Sequence, residues 1–330
     1  MMNSSSKSLS NIIPGTIIEG KWHKNRYTVQ NVLGSGANGI VYLVQFQNRQ
    51  VALKISDNGM AITSEVNVLK SFQKVQGYTL GPSLIDVDDW EKGDKKIPFY
   101  VMEYIHGPDL LTFVRKRGYA WTGVLILQLL SDLESMHHNG WIFGDLKPEN
   151  LIVTGPPSKI RCIDVGGTTI QGRAIKEFTE FYDRGYWGMG SRKAEPSYDL
   201  FAVGMIMINT AYPKRFSKTT GGMKQLKPLI QQKPELQKFE KILIQALEGH
   251  YQSAKQMRDD MLELFSFQLA GNQESKTRQK MRNKPTSAKG TMVGRRINKK
   301  KRRKKGIIES FIILMIISFL YFLYIYEQIL

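Results

Sequence analysis

Trp141-Ile142-Phe143-Gly144-Asp145-Leu146-Lys147-Pro148-Glu149-Asn150 decides how this chain reads. An apolar run delivers an aspartate, then a lysine two residues on and an asparagine five on, around a proline. Proline fixes its own φ and restricts the residue before it, so these polar groups sit on a rigid loop. A carboxylate there can accept a hydroxyl proton. The lysine can neutralise a moving phosphoryl group, and the asparagine oxygen can bind a divalent ion. The structural alternative is a proline-containing helix-to-strand turn capped by Asp and Asn.

Three further stretches decide between the two. Downstream, Ile163-Asp164-Val165-Gly166 carries an acid out of an apolar run, fourteen residues past Asn150. That supplies a second oxygen ligand near Asn150, a donor set that suits Mg2+. Upstream, Gly34-Ser35-Gly36-Ala37-Asn38-Gly39-Ile40-Val41 lies between two predicted strands. Glycines let a backbone approach phosphate oxygens without Cβ clashes. A strand rather than a helix follows, which argues against a dinucleotide fold. Then Val51-Ala52-Leu53-Lys54 ends an alternating strand in a lysine, and Glu65 follows on a predicted helix. A helix carboxylate can hold that ammonium toward phosphates.

In this order, the four elements resemble the Hanks-type (eukaryotic-like) Ser/Thr protein kinases over roughly residues 27–265. The resemblance implies an α+β fold of two lobes, β-rich first and helical second. It implies ATP as phosphate donor with Mg2+, Mn2+ being an alternative, and protein Ser/Thr as acceptor. It makes Asp145 and Lys147 catalytic, and Asn150 and Asp164 the metal ligands. Leu33, Gly34, Ser35, Gly36, Ala37, Asn38 and Gly39 become the loop over the nucleotide. Lys54 would bind phosphate and Glu65 would hold it, at a short spacing for the family. Val41, Ala52, Ile152 and Ile163 would enclose the base, with Met102 behind it and Glu103 to Ile105 as hinge backbone. Asp199 resembles the buried aspartate that braces the catalytic loop, and His250-Tyr251-Gln252-Ser253-Ala254 resembles a late family stretch.

The departures are informative. Phe143 and Gly144 stand where the family usually has His-Arg. Without that arginine, a phosphate on the activation segment has one fewer guanidinium to order it. Val165 replaces a common Phe, no clear Ala-Pro-Glu closes the segment after Asp164, and His250 stands in place of a late arginine. Both ends of one ion pair are expected to be missing together. Thr168, Thr169, Thr179 and Ser191 remain as autophosphorylation candidates.

Composition divides the chain further. The formal net charge is +18, but fifteen Lys or Arg and one acid, Glu274, fall between Gly271 and Gly306. The globular part is therefore nearly neutral. One cysteine, Cys162, excludes an intrachain disulfide framework and fits a reducing compartment. Met1 to Asn11 is Ser-rich, unlike a signal peptide, and lacks the second-position Gly of a myristoylation motif. From Phe311 to Tyr326 only Ser318 interrupts an apolar and aromatic run. With its flanks that is long enough to span a bilayer, with Tyr321, Tyr324 and Tyr326 at the interface. The boundaries expected are a polar tail over 1–26, a kinase domain over 27–267 and a basic linker over 268–306. A transmembrane helix over 307–327 and a short tail over 328–330 follow. Basic residues beside the span put the bulk of the chain in the cytoplasm and the C-terminus across the membrane.

The linker is too polar and charged to fold alone. It can flank a membrane stop, attract anionic lipid, or neutralise DNA phosphates without sequence preference through 276–305. A homodimer is a further partner expectation. A kinase domain, basic segment and single span together are most similar to the membrane-anchored, YabT-type kinases of spore-forming bacteria. The competing classes are a pseudokinase scaffold or membrane-bound DNA tether, and a kinase of a small-molecule alcohol.

Overall fold

Period-two alternation in the first third builds one twisted antiparallel sheet. The computed structural model describes residues 12–36, 38–73 and 80–267. Its strands are β1 (Ile17–Glu19), β2 (Arg26–Gly36), β3 (Gly39–Phe46), β4 (Arg49–Ile55), β5 (Leu84–Lys92) and β6 (Lys95–Glu103). They pair in the order β1-β2-β3-β4-β6-β5. Strand β4 shows how the sheet serves two purposes. Val51, Leu53 and Ile55 bury into one core with Tyr42, Val44 and Phe99. Ala52 and Lys54, on the opposite face, line a cleft. Helix α1 (Gly59–Gln73) packs Ile62, Val66 and Leu69 into a second core shared with the helical lobe.

Residues 12–26 correct the expectation of a polar tail that extends to 26. Ile12 and Ile18 are buried in the sheet core, and β1 pairs with β2 through Ile17↔Thr28 and Ile18↔Tyr27. The Ser-rich composition ends at Ser10, and the isoleucines beyond it carry enough apolar surface to join the sheet. A clasp formed by residues 20–27 and β5 secures this edge. The Trp22 and His23 backbone N–H groups donate to Asp88, and Tyr27 donates to Asp86.

The helical lobe is organised on α5 (Pro196–Ala211), which has proline in its first turn and is buried from Tyr198 to Thr210. A helix apolar all round belongs inside a bundle. Around it lie α2 (Leu110–Arg117), α3 (Ala120–His138), the single turn α4 (Arg184–Trp187), α6 (Gly222–Gln232), α7 (Pro234–Gln237), α8 (Glu240–Leu247) and α9, residues 254–267. The helical pattern over Leu236 to Leu264 thus resolves into three pieces. Helix α6 carries Pro228 inside it, a signal that reads as a break in sequence. Leu226 and Ile230, four apart, bury its inner face regardless. Two short pairs, β7 (Trp141–Ile142) with β10 (Thr169–Ile170) and β8 (Leu151–Thr154) with β9 (Lys159–Cys162), frame the catalytic loop. The linker, span and C-terminal tail (268–306, 307–327, 328–330) lie outside the described residues. Among the described residues, no helix is long and apolar enough to cross a membrane.

Candidate active site

Lys54 leaves β4 toward the cleft and meets Glu65 at 2.8 Å to Oε1 and 2.6 Å to Oε2. The short spacing works because α1 starts four residues after β4 and presents Glu65 in its second turn. Burial pushes the Glu65 carboxyl above its ordinary value, although Lys54 and the Tyr100 hydroxyl, donating at 2.7 Å, pull it back. Burial and the Glu65 charge push the Tyr100 phenol well up, so it stays a donor. Lys54 Nζ also stands 4.0 Å from Asp164 Oδ1.

The catalytic loop is held from beneath. Buried Asp199 accepts from the Phe143 N–H at 2.8 Å, the Gly144 N–H at 2.9 Å and His137 Nε2 at 2.9 Å. The two residues in place of His-Arg are therefore bound by their backbone. Gly144 has φ +85°, and a Cβ there would lie 2.6 Å from the Gly167 carbonyl oxygen. Backbone packs directly on backbone at this point, where an arginine side chain has no path. One carboxylate oxygen of Asp145 accepts from Lys147 Nζ, and the other accepts from the Thr179 hydroxyl at 2.9 Å. Asn150 ends a single 3-10 turn, Pro148–Asn150, at the foot of β8. Asp164 follows β9, accepts from the Gly166 N–H at 2.9 Å and keeps 45% of its side chain exposed.

These groups converge on one cleft of about 590 Å³. Leu33, Gly34, Ser35, Gly36, Asn38 and Gly39 form one wall, and Val41, Ala52 and Lys54 the roof. Met102, Glu103 and Ile105 line the hinge edge, Ile152 and Ile163 the floor. Asp145, Lys147, Asn150 and Asp164 complete it. Ala37 lies outside the described residues. Glu65 is not on the wall and reaches the cleft only through Lys54. The Glu103 carboxylate is committed to Arg161, at 2.8 and 3.0 Å, whose hydrogen bonds hold it below its ordinary pKa despite partial burial.

Sequence reasoning missed Tyr100, Pro82 and Glu177 on this wall, while Tyr104 falls within the hinge it marked. Tyr100 was legible: it pairs with Lys54 across the sheet and alternates with Met102 on β6. Glu177 carried no sequence signal; the fold of the activation segment alone brings it in.

The activation segment requires two corrections. It was expected to close without its ion pair. Instead, Glu195 of Ala194-Glu195-Pro196 pairs with Arg184 at 2.7 Å, while His250 is exposed. Buried Asp183 adds Arg192, the Tyr198 hydroxyl and two α4 N–H groups. This pair is distinct from the one a late arginine would make: both its ends lie within the segment, where no fixed spacing marks it. Secondly, Thr168 and Thr169 are buried, which removes them as accessible phosphate acceptors in this conformation. Ser191 is exposed.

The protein kinase domain family matches residues 27–283. The serine/threonine-protein kinase YabT of Bacillus subtilis (strain 168) is 53% identical, covering 98% of this chain and 98% of that protein. A probable serine/threonine-protein kinase of Clostridium perfringens is 30% identical over 41% of this chain and 20% of its own length. The crystal structure of the Mycobacterium tuberculosis PknI kinase domain superposes with a TM-score of 0.54 at 18% identity, covering 77% of this chain and 99% of that one. That likeness shows the bilobal fold. The chain belongs to the protein kinase family, in its Hanks-type bacterial branch, and is an ATP-dependent serine/threonine kinase.

Proposed function

We propose that this kinase is tethered to the cell membrane by its C-terminal segment, works with Mg2+, and answers to anionic partners of its basic segment. The observation that carries the catalytic part is one cleft lined by Lys54, Asp145, Asn150 and Asp164, with Glu65 gripping Lys54 through both oxygens. A pseudokinase scaffold does not account for keeping all of these in register.

Lys54, fixed by Glu65, binds phosphate oxygens of ATP. Asp145 orients the acceptor Ser or Thr hydroxyl and takes its proton as the oxygen attacks the γ-phosphorus and ADP leaves. Lys147, already on Asp145, meets the charge that develops on the transferred group. Met102, Ala52 and Ile152 supply an apolar slot for the base, while the hinge backbone at Glu103 and Ile105 supplies polar partners. Asn150 and Asp164 offer oxygen donors, the type a hard divalent cation takes, and would hold Mg2+. When bound, the ion neutralises phosphate charge.

Arg184–Glu195 and Arg192–Asp183 support a segment ordered by its own ion pairs rather than by a phosphate. The regulatory input is then sought elsewhere. The last nine basic residues before the apolar run suit anionic lipid, and the first six, Lys276 to Lys289, suit duplex DNA. The kinase domain faces the cytoplasm by the positive-inside rule.

Autophosphorylation with Mg-ATP tests the chemistry: Asp145→Asn slows labelling by about 10²- to 10⁴-fold, and labelling equal to wild type would remove Asp145 as base. The same assay with duplex DNA or anionic vesicles tests the input. Activity unchanged by both would sink the regulatory part.

A further inference from the structure

The cleft described above takes a polyanion, yet one of its walls is a carboxylate that the proposed chemistry does not use. Glu177 lies in the activation segment, two residues before Thr179. It lines the cleft together with Asp164 and Lys147. Its Oε1 accepts from Asn38 Nδ2, across 139 positions of sequence. Asn38 sits at the tip of the glycine-rich hairpin, between Gly36 and Gly39, the wall that closes over phosphates. The neighbouring residues reinforce this crossing. Lys176 Nζ donates to Ser64 Oγ of α1 at 3.4 Å, and Thr179 donates to Asp145 at 2.9 Å. Three of these four consecutive residues thus touch the helix that holds Glu65, the glycine hairpin and the catalytic loop in turn.

We propose that Lys176–Thr179 is a strap across the nucleotide entrance and that the Glu177–Asn38 hydrogen bond is its latch, which nucleotide must open in order to bind. The idea rests on reading the cleft as the ATP site. Two physical terms point the same way. A carboxylate in the cleft repels incoming phosphate oxygens, and more strongly than in water because the walls have low polarisability. The hydrogen bond, charge-assisted on its acceptor side, also holds the hairpin tip to the lower lobe. Nucleotide affinity is therefore reduced by the fraction of molecules with the latch closed. No feature of Glu177 suggests a folding role. It is only partly buried, and its described partner is the side-chain amide of Asn38.

The experiment is equilibrium binding of a non-hydrolysable ATP analogue to the full chain, with Mg2+ and separately with chelator. Wild type, Glu177→Ala, Glu177→Gln, Asn38→Ala and the double alanine variant are compared, each with its melting temperature to confirm folding. The expected result is that Glu177→Ala tightens binding about tenfold, the scale of one charge-assisted hydrogen bond. Glu177→Gln, which keeps an acceptor for Asn38 but drops the charge, tightens it less. In the Asn38→Ala background the effect of Glu177→Ala shrinks, because one bond cannot be broken twice. Weaker binding for Glu177→Ala in Mg2+ alone would make Glu177 a cation ligand and overturn the latch. Unchanged binding, or an equal gain in the Asn38→Ala background, would overturn it too. If wild type binds no nucleotide under any condition, the reading of the cleft fails first, a result distinct from failure of the latch.

Discussion

Two groups of carboxylates in this molecule look alike by distance and differ in what their oxygens meet. In the clasp, Asp86 and Asp88 are buried, and each oxygen has a donor. Asp86 accepts from His23 Nδ1 at 2.6 Å, the Val87 N–H at 2.8 Å, Asn25 at 2.9 Å and Tyr27 at 2.5 Å. Asp88 accepts from the N–H groups of Trp22, Asp89 and His23 at 2.9, 2.7 and 2.8 Å. The ligand atoms of His23, Asp86 and Asp88 lie within 4.8 Å of one another, a spacing a cation could use. Every carboxylate oxygen of the two acids already accepts from the chain itself, so the cluster reads as structure. In the cleft, Asp164 meets one backbone N–H and leaves 45% of its side chain exposed. Proximity does not make a site; acceptor capacity left open toward a cavity does.

Replacing one acid by its amide in each group breaks the comparison most directly. Asp145→Asn keeps the shape and removes the base, so turnover falls by about 10²- to 10⁴-fold while melting barely shifts. Asp86→Asn keeps turnover and loses charge-assisted hydrogen bonds worth about 1.5–3 kcal/mol each, so melting falls by several degrees. Paired kinase assays and thermal melts read both. An Asp86→Asn variant that melts normally but lacks activity would invert the assignment.

Lys54 and Glu65 form an intermediate case, buried like the clasp yet serving the cleft. Lys54→Met leaves a buried carboxylate without its cation, a loss of about 3–5 kcal/mol if the acid stays charged. The Glu65 carboxyl already sits above its ordinary pKa, chiefly through burial, so protonation softens that loss. Activity is lost outright, and the melting temperature drops less than the full penalty implies. Gly144→Ala comes next. Its Cβ meets the Gly167 carbonyl oxygen at 2.6 Å and its φ is positive, a strain of about 1–3 kcal/mol placed directly under Asp145. Both melting and turnover fall. Gly144→Arg does no better, so restoring the family's residue does not restore phosphate control.

The cleft was legible where chemistry imposes spacing. Asp145, Lys147 and Asn150 share one rigid loop, and Lys54 and Ala52 share one strand face, so short-range pattern fixes them. What stayed hidden was assembled by long-range contacts with no spacing rule. The Arg184–Glu195 pair forms inside the activation segment, and Glu177 enters the cleft from a loop. The clasp was hidden for another reason. Residues 12–26 mix isoleucines with Lys, His and Gly, and no period marks a three-residue strand such as β1. The family's beginning at Tyr27 is also where period-two alternation becomes strong enough to read.

The smallest effect is the pH dependence of the clasp. Hydrogen bonding and charge from Asp86, with a smaller push from Asp88, raise the His23 pKa above its ordinary value of 6.5. Its stabilisation is therefore complete below that ordinary value and is lost as pH rises through the raised one. Asp86 runs the other way. Burial pushes its carboxyl up, but hydrogen bonds from Tyr27, Asn25 and His23 outweigh that and hold it below its ordinary 3.8. Its contribution is complete above that ordinary value and is lost as pH falls through the lowered one. The clasp is strongest between the two limits. Subtracting the melting curve of His23→Gln from that of wild type, across about pH 5 to 9, cancels the many groups the two share. The difference should be flat at the acid end of that range and decline at the alkaline end. A difference that does not change with pH would mean that His23 holds Asp86 as a neutral donor. The clasp would then hold its ionised carboxylates through neutral donors, with no imidazolium in it.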